Sequence, residues 1–180
     1  VNVANFNLPM VGRHNIENAT SVAVMSLKLG LTIQEIQEGF RTFTGIKRRQ
    51  EVLGVKNGIT VIDDFAHHPT AIRLTIEAIR EAYPGQRIWA IFEPRSATCR
   101  RKVFEDRLPK SFIAADHVII SGLFAPEKID LADRLNPELV VEHINKDGGK
   151  AYFIPDIEAI VNKLITECRP NDVLLIMSSG

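Results

Sequence analysis

Between Asp63 and Thr70 the chain reads Asp-Asp-Phe-Ala-His-His-Pro-Thr: two carboxylates, two imidazoles and a proline suited to the first turn of a helix. An apolar run, Ile59 to Ile62, leads into it. A strand that hands over to a helix N-terminus is where open α/β sheets bind ligands. Free N–H groups and the positive end of the helix dipole favour anions there, so a phosphate- or carboxylate-bearing ligand is expected. If the strand continues through Asp63 and Asp64, their side chains point to opposite faces, and one can reach a ligand while the other caps or orients. His67 and His68 diverge in the same way, which argues against a shared metal. Pro69 at the first helical position makes His68 the expected N-cap, where helix polarity favours a neutral imidazole. A structural role for one of the two histidines is an equally open reading.

Three further segments hold chemistry-bearing residues. In Gly12-Arg13-His14-Asn15-Ile16-Glu17-Asn18-Ala19, Asn15 and Asn18 are three apart and share one helix face. A carboxamide places a donor beside an acceptor, which suits the edge of an adenine; asparagine near a helix start also simply caps it. The run Lys47-Arg48-Arg49-Gln50-Glu51 is either a solvated charge run or a phosphate or ribose contact beside a linker. In Glu93-Pro94-Arg95-Ser96-Ala97-Thr98-Cys99-Arg100-Arg101, three arginines and two hydroxyls follow a strand and precede an expected helix. Cations at a helix start are locally unfavourable, so bidentate binding of carboxylates is the favoured reading over surface arginines. No phosphate loop, serine nucleophile elbow or supported Cys-His pair is present. The segments are binding surfaces without a complete catalytic machine.

Alternating elements must position them. A helix is expected from Arg13 to Leu29 with Val22, Met25 and Leu29 as its stripe and Gly30 after it. Thr32 and Glu35 form a capping box for a helix striped by Ile33, Ile36 and Phe40. A linker, Thr42 to Ile46, marks a domain boundary. Glu51 to Lys56, Asn57-Gly58 and Ile59 to Asp63 spell a hairpin. A helix striped by Ile72, Ile76 and Ile79 follows Pro69, then a strand from Ile88 to Phe92 and a helix from about Arg100 to Leu108. The remainder reads as strand Val118 to Ser121, helix Pro137 to about Asn145, and strand Ala151 to Ile154. A helix capped by Asp156 with Ile157, Ile160, Val161 and Leu164 precedes the last strand, Val173 to Met177. Continuous apolar strands imply burial on both faces, hence a Rossmann-like α/β fold: a mostly parallel sheet with helices on both faces, preceded by a hairpin and a short helical remnant.

Composition sets the frame. Among 180 residues, 22 basic and 22 acidic side chains cancel, so no global field draws the chain to nucleic acid or anionic membrane. There is no apolar run near ~18 residues and no cationic leader, and the reading is a cytoplasmic protein outside the membrane. Cys99 and Cys168, the two cysteines, are too few and too isolated for a disulfide framework or a zinc site and are expected as reduced thiols. The chain opens at Val1 in mid-pattern and stops at Gly180 just after an apolar strand, as a piece of a longer protein would.

In this order the four segments resemble the ATP-dependent Mur ligases of bacterial cell-wall synthesis. The resemblance makes residues 1–42 the helical tail of that family's central ATP-binding domain and 43–180 its C-terminal domain, truncated at the end. It implies that Asn15 and Asn18 contact adenine and that Arg49 and Asp64 help hold ATP across the domain junction. It also implies substrate contacts by His67, His68, Arg95, Ser96, Thr98 and Arg100; Cys99 falls in a variable slot without a role. Asp-Asp-Phe-Ala-His-His-Pro-Thr points to the branch acting on UDP-N-acetylmuramate. Within it, an alanine-adding member would read Gln-Pro-His-Arg-Tyr-Thr-Arg where this chain has Glu93-Pro94-Arg95-Ser96-Ala97-Thr98-Cys99-Arg100-Arg101. The likeness is instead to members that join L-alanyl-γ-D-glutamyl-meso-diaminopimelate to UDP-N-acetylmuramate in wall-peptide recycling.

The implied reaction is carboxylate activation. ATP phosphorylates the lactyl carboxylate, the peptide amine attacks the acyl phosphate and phosphate leaves. The Mg2+ site, the phosphate loop and the UDP-binding domain would lie upstream, so this stretch alone is expected to be inactive. The alanine-adding activity is the nearest alternative, and a non-catalytic α/β ligand-binding module is the alternative of another class.

Overall fold

The computed structural model describes residues 4–180; the opening Val1 to Val3 lies outside the described residues. Two helices come first, α1 (Arg13–Lys28) and α2 (Ile33–Thr42). Gly30 takes a φ of 91° after α1, as a chain reversing out of a helix requires. Thr32 accepts from the Glu35 amide while the Glu35 carboxylate accepts from the Thr32 amide, the full capping box. The linker is irregular, and the hairpin β1 (Glu51–Lys56) and β2 (Ile59–Asp64) follows. Its turn residues Asn57 and Gly58 have φ of 53° and 76°, the paired left-handed conformations of a type I′ turn.

From β2 the elements alternate: α3 (Pro69–Ala82), β3 (Ile88–Phe92), α4 (Leu108–Ser111), β4 (His117–Ile120), α5 (Pro137–Lys146), β5 (Ala151–Phe153), α6 (Ile157–Glu167) and β6 (Val173–Met177). The six strands form one sheet in the order β1-β2-β6-β3-β4-β5, with β1 antiparallel to β2 and every other pairing parallel. In central β3, Ile88, Ala90 and Phe92 join a core with Ile72, Ile76 and Ile79 of α3, Leu108 of α4 and Val140 of α5. Trp89 and Ile91 face the other side with Ile119 of β4 and Ile160 of α6. Helices therefore cover both faces. The α3 stripe is at most 1% exposed, and each such side chain contributes about 1.5–3 kcal/mol.

Two expectations require correction. The stretch expected as a helix from Arg100 to Leu108 is a run of turns with a 3-10 segment, Lys102–Phe104, and the short α4 begins only at Leu108. Pro109 lacks the N–H a continuing helix needs, so the helix starts at the proline instead of running into it. α1 forms as expected, and its apolar residues Val22, Met25 and Leu29 are 53%, 62% and 76% exposed. In α6, only Ile160 of the expected stripe is buried, while Ile157 is 71% exposed.

Candidate functional site at the carboxyl edge of the sheet

β2, β6, β3 and β4 all point their carboxyl ends the same way, and the loops following them gather the polar segments. On one side lies a cleft of about 750 Å3 between α1, α2 and the sheet domain. Asn15, Asn18, Arg49 and Asp64, the four residues expected at ATP, all line it. Its remaining wall is largely apolar, with Met10, Val22, Phe40 and Leu74 among the lining side chains. The Asn15 side chain donates to the Val11 carbonyl at 2.7 Å and to Gln50 Oε1 at 3.3 Å, tying α1 to the linker.

Asp63 and Asp64 diverge as a strand demands. Asp64 is 3% exposed, and its carboxylate accepts from the backbone N–H of Gln50 at 2.8 Å and of Ala66 at 2.7 Å. Thr75 donates a longer bond at 3.4 Å. Asp64 thus orients the junction. Asp63 pairs with Arg48 at 3.2 Å, and Arg48 also donates to the Ser178 carbonyl at 2.6 Å. Arg48 and Gln50 hold φ of 59° and 51°, conformations that L-residues adopt only when their surroundings impose them. Here Glu51 accepts the Arg48 N–H and Asp64 the Gln50 N–H. The guanidinium groups of Arg48 and Arg49 each lie 5.3 Å from the centre of the Phe65 ring.

On the other side, His68 caps α3, its Nδ1 accepting from the Thr70 N–H at 3.2 Å. That bond requires an unprotonated Nδ1. His67 instead lies near its own loop, with Nδ1 3.0 Å from the Phe65 carbonyl. Among the described residues no three His, Cys, Asp or Glu side chains form a metal-binding group.

The Arg95 segment forms turns, not a helix start, so the expectation that its arginines oppose a helix dipole does not hold. Arg95 stands 3.5 Å from Glu93 and stacks over Phe124 at 4.0 Å. Arg100 donates to the Phe124 and Ala125 carbonyls at 2.9 and 3.2 Å, and its buried Nε has no partner. Ser96 Oγ accepts from the Cys99 N–H at 3.2 Å, while Thr98 is exposed on the turn. The Arg101 side chain goes instead to Asp133 at 3.3 Å. Cys99 is fully buried and donates its S–H to the His67 carbonyl, so it joins the β2 and β3 loops. Burial pushes its thiol up, and burial pushes Cys168 up to about 11; neither is poised as a nucleophile.

Sequence reasoning missed Phe124, the platform beneath Arg95, because it lies in an aperiodic loop. It also missed Gln50 as a bridge and the hydrogen bond from Ser178 to Glu93.

A sequence profile described as Mur ligase, glutamate ligase domain, matches residues 48–180. The chain belongs to the Mur ligase family. UDP-N-acetylmuramate–L-alanine ligase of Acetivibrio thermocellus is 36% identical over 179 residues, 99% of this chain and 37% of that relative. The crystal structure of a murein peptide ligase from Psychrobacter arcticus is similar with a TM-score of 0.71 and 30% identity, covering 97% of this Mur ligase chain and 36% of the other. A domain of a protein assigned as UDP-N-acetylmuramate:L-alanyl-γ-D-glutamyl-meso-diaminopimelate ligase, from Haemophilus ducreyi, is 38% identical over 73% of this chain and 89% of that one, with a TM-score of 0.55. This Mur ligase chain therefore spans little more than a third of the length of the curated relative. No helix among the described residues is long and apolar enough to cross a membrane.

Proposed function

We propose that this chain is the nucleotide-clasping and peptide-receiving part of a cytoplasmic ligase that joins L-alanyl-γ-D-glutamyl-meso-diaminopimelate to UDP-N-acetylmuramate, with ATP activating the carboxylate as an acyl phosphate. Residues 1–42 are then the tail of the ATP-binding domain and 43–180 the C-terminal domain. Asn15 and Asn18 face the adenine, Arg49 meets phosphate or ribose, and Asp64 holds the Arg49-Gln50 backbone in place. Mg2+ would neutralise phosphate charge during transfer. Its ligands are proposed to lie upstream of this stretch, as the family resemblance implies.

The observation that carries the peptide reading is the pair Arg95 and Arg100 converging on Phe124. Arg95 remains partly exposed and is balanced only by Glu93 at 3.5 Å. An amine substrate rich in carboxylates answers this positive surface through bidentate contacts, whereas free alanine brings a single carboxylate. His67, His68, Ser96 and Thr98 border the same loops. The 38% likeness to the Haemophilus ducreyi domain supports this reading. The 36% likeness to an L-alanine ligase favours the second one, addition of L-alanine to the same nucleotide sugar.

Amide formation by the full-length protein, with tripeptide or L-alanine as the amine, separates them. The tripeptide is expected to react with the higher kcat/KM, and Arg95→Ala to lower that value about 10- to 100-fold, the loss of one charged contact. Preference for L-alanine would overturn the proposal.

A further inference from the structure

A second cavity, about 610 Å3, opens farther along the same sheet edge, beyond β4 and β5. Gly122, Leu123, Phe153 and Pro155 line it, and Lys102 and Arg134 bring two positive charges to it. The Lys102 side chain has no hydrogen-bond or ion-pair partner among the described residues. Arg134 donates one bond, from Nη2 to the Ile129 carbonyl at 2.9 Å, while its buried Nε–H has no partner. A buried guanidinium donor without an acceptor is costly, and it asks for an anion.

We infer that this cavity is a distal subsite that takes an aliphatic carboxylate, the far end of the third residue of an extended acidic peptide. The inference rests on the peptide-ligase reading and deepens it. Continuity is the first support: Gly122 and Leu123 stand directly before Phe124, on which Arg95 is stacked. A peptide held at Arg95 and extended along the edge meets this cavity next. The character of the lining is the second. Leu123, Leu131, Phe153 and Pro155 suit a methylene chain, and the two cations suit its terminal carboxylate. Phosphate binding would draw on a nest of free N–H groups. Here Asn136 Oδ1 already accepts the Glu138 and Leu139 N–H groups at the start of α5, and Glu105 accepts that of Asn136. The nearby acid Asp133 is turned to Arg101, which leaves Lys102 and Arg134 to the ligand.

The test uses the full-length enzyme with the tripeptide as substrate and L-alanyl-γ-D-glutamate, which lacks the third residue, as competitive inhibitor. Lys102→Glu alters an exposed side chain and leaves the fold intact. Its tripeptide KM is expected to rise about tenfold or more while the inhibition constant of the dipeptide stays within about twofold. Arg134→Lys keeps the charge but removes the Nε fork and is expected to act in the same direction. Saturating tripeptide should also shift the Arg134 Nε–H resonance, and the dipeptide should not. Equal effects on both ligands, no effect on either, or an unmoved Arg134 resonance would overturn the subsite while tripeptide ligation persists. If the wild-type enzyme refuses the tripeptide and takes L-alanine, the peptide-ligase reading fails first and the subsite with it.

Discussion

Asp64 grips Gln50 by its backbone: Oδ2 accepts the Gln50 N–H at 2.8 Å while Oδ1 accepts the Ala66 N–H at 2.7 Å. One buried carboxylate thereby ties the end of β2 to the linker segment that carries Arg49 into the cleft. The left-handed Gln50 backbone has this acceptor to hold it. Asp64→Asn turns an acceptor-only group into one presenting N–H2 to a donor. It should cost about 1–3 kcal/mol, the desolvation penalty of a buried group left unsatisfied. The urea midpoint should fall accordingly and the KM for ATP of the full-length protein rise. An unchanged KM beside a lowered midpoint would show that Asp64 stabilises the fold without setting the cleft.

Much of this scaffold was legible because its signals are local. Asn57-Gly58 dictates a turn through its φ values, Thr32 and Glu35 satisfy a helix end between themselves, and the 72, 76, 79 spacing of isoleucines needs only one covered face. The four residues that the resemblance assigns to ATP, Asn15, Asn18, Arg49 and Asp64, line one cavity. What stayed hidden depends on distant partners. Gln50 sat inside a charge run, and its bridging role exists only because Asn15 and Asp64 arrive from elsewhere. Phe124 lies in a loop without period and gains meaning only when Arg95 folds over it. Val22, Met25 and Leu29 have helical spacing, yet spacing cannot say whether a face is covered.

Gly12 should control how α1 sits on the sheet domain. Its φ is 93°, and a Cβ built there would stand 2.5 Å from Ala78 Cβ on α3. Gly12→Ala therefore meets two separate penalties, one conformational and one steric, together about 2–5 kcal/mol. The steric part pushes the start of α1, and with it Asn15 and Asn18, away from α3. The KM for ATP should rise along with a lower melting temperature. Adding Ala78→Gly removes the clash but not the strained φ, and places a glycine inside a helix. The double variant is thus expected to recover ATP affinity while remaining less stable. If affinity stays low in the double variant, backbone strain at Gly12 and not its contact with α3 shapes the cleft.

His117 gives the opposite edge of the sheet a pH dependence of calculable sign. Its ring stacks on Trp89 with centroids 4.0 Å apart and planes 9° from parallel, and its Nδ1 is buried without a partner. Burial lowers its pKa below 6.5, and Arg87 and Lys150 act in the same direction against Asp116 and Glu167. The unfolded chain then binds a proton before the folded one does, so stability rises with pH across this interval. It is full above the unfolded value of 6.5 and declines as pH falls toward the lowered folded value, below which the penalty is constant. His117→Phe keeps an aromatic ring against Trp89 and removes the titration. Urea midpoints measured from about pH 7 to about pH 5 should fall more steeply for the wild type than for the variant. The difference between the two curves isolates His117 from the other four of the chain's five histidines. Parallel curves would mean that the His117 imidazole titrates as it does in the unfolded chain.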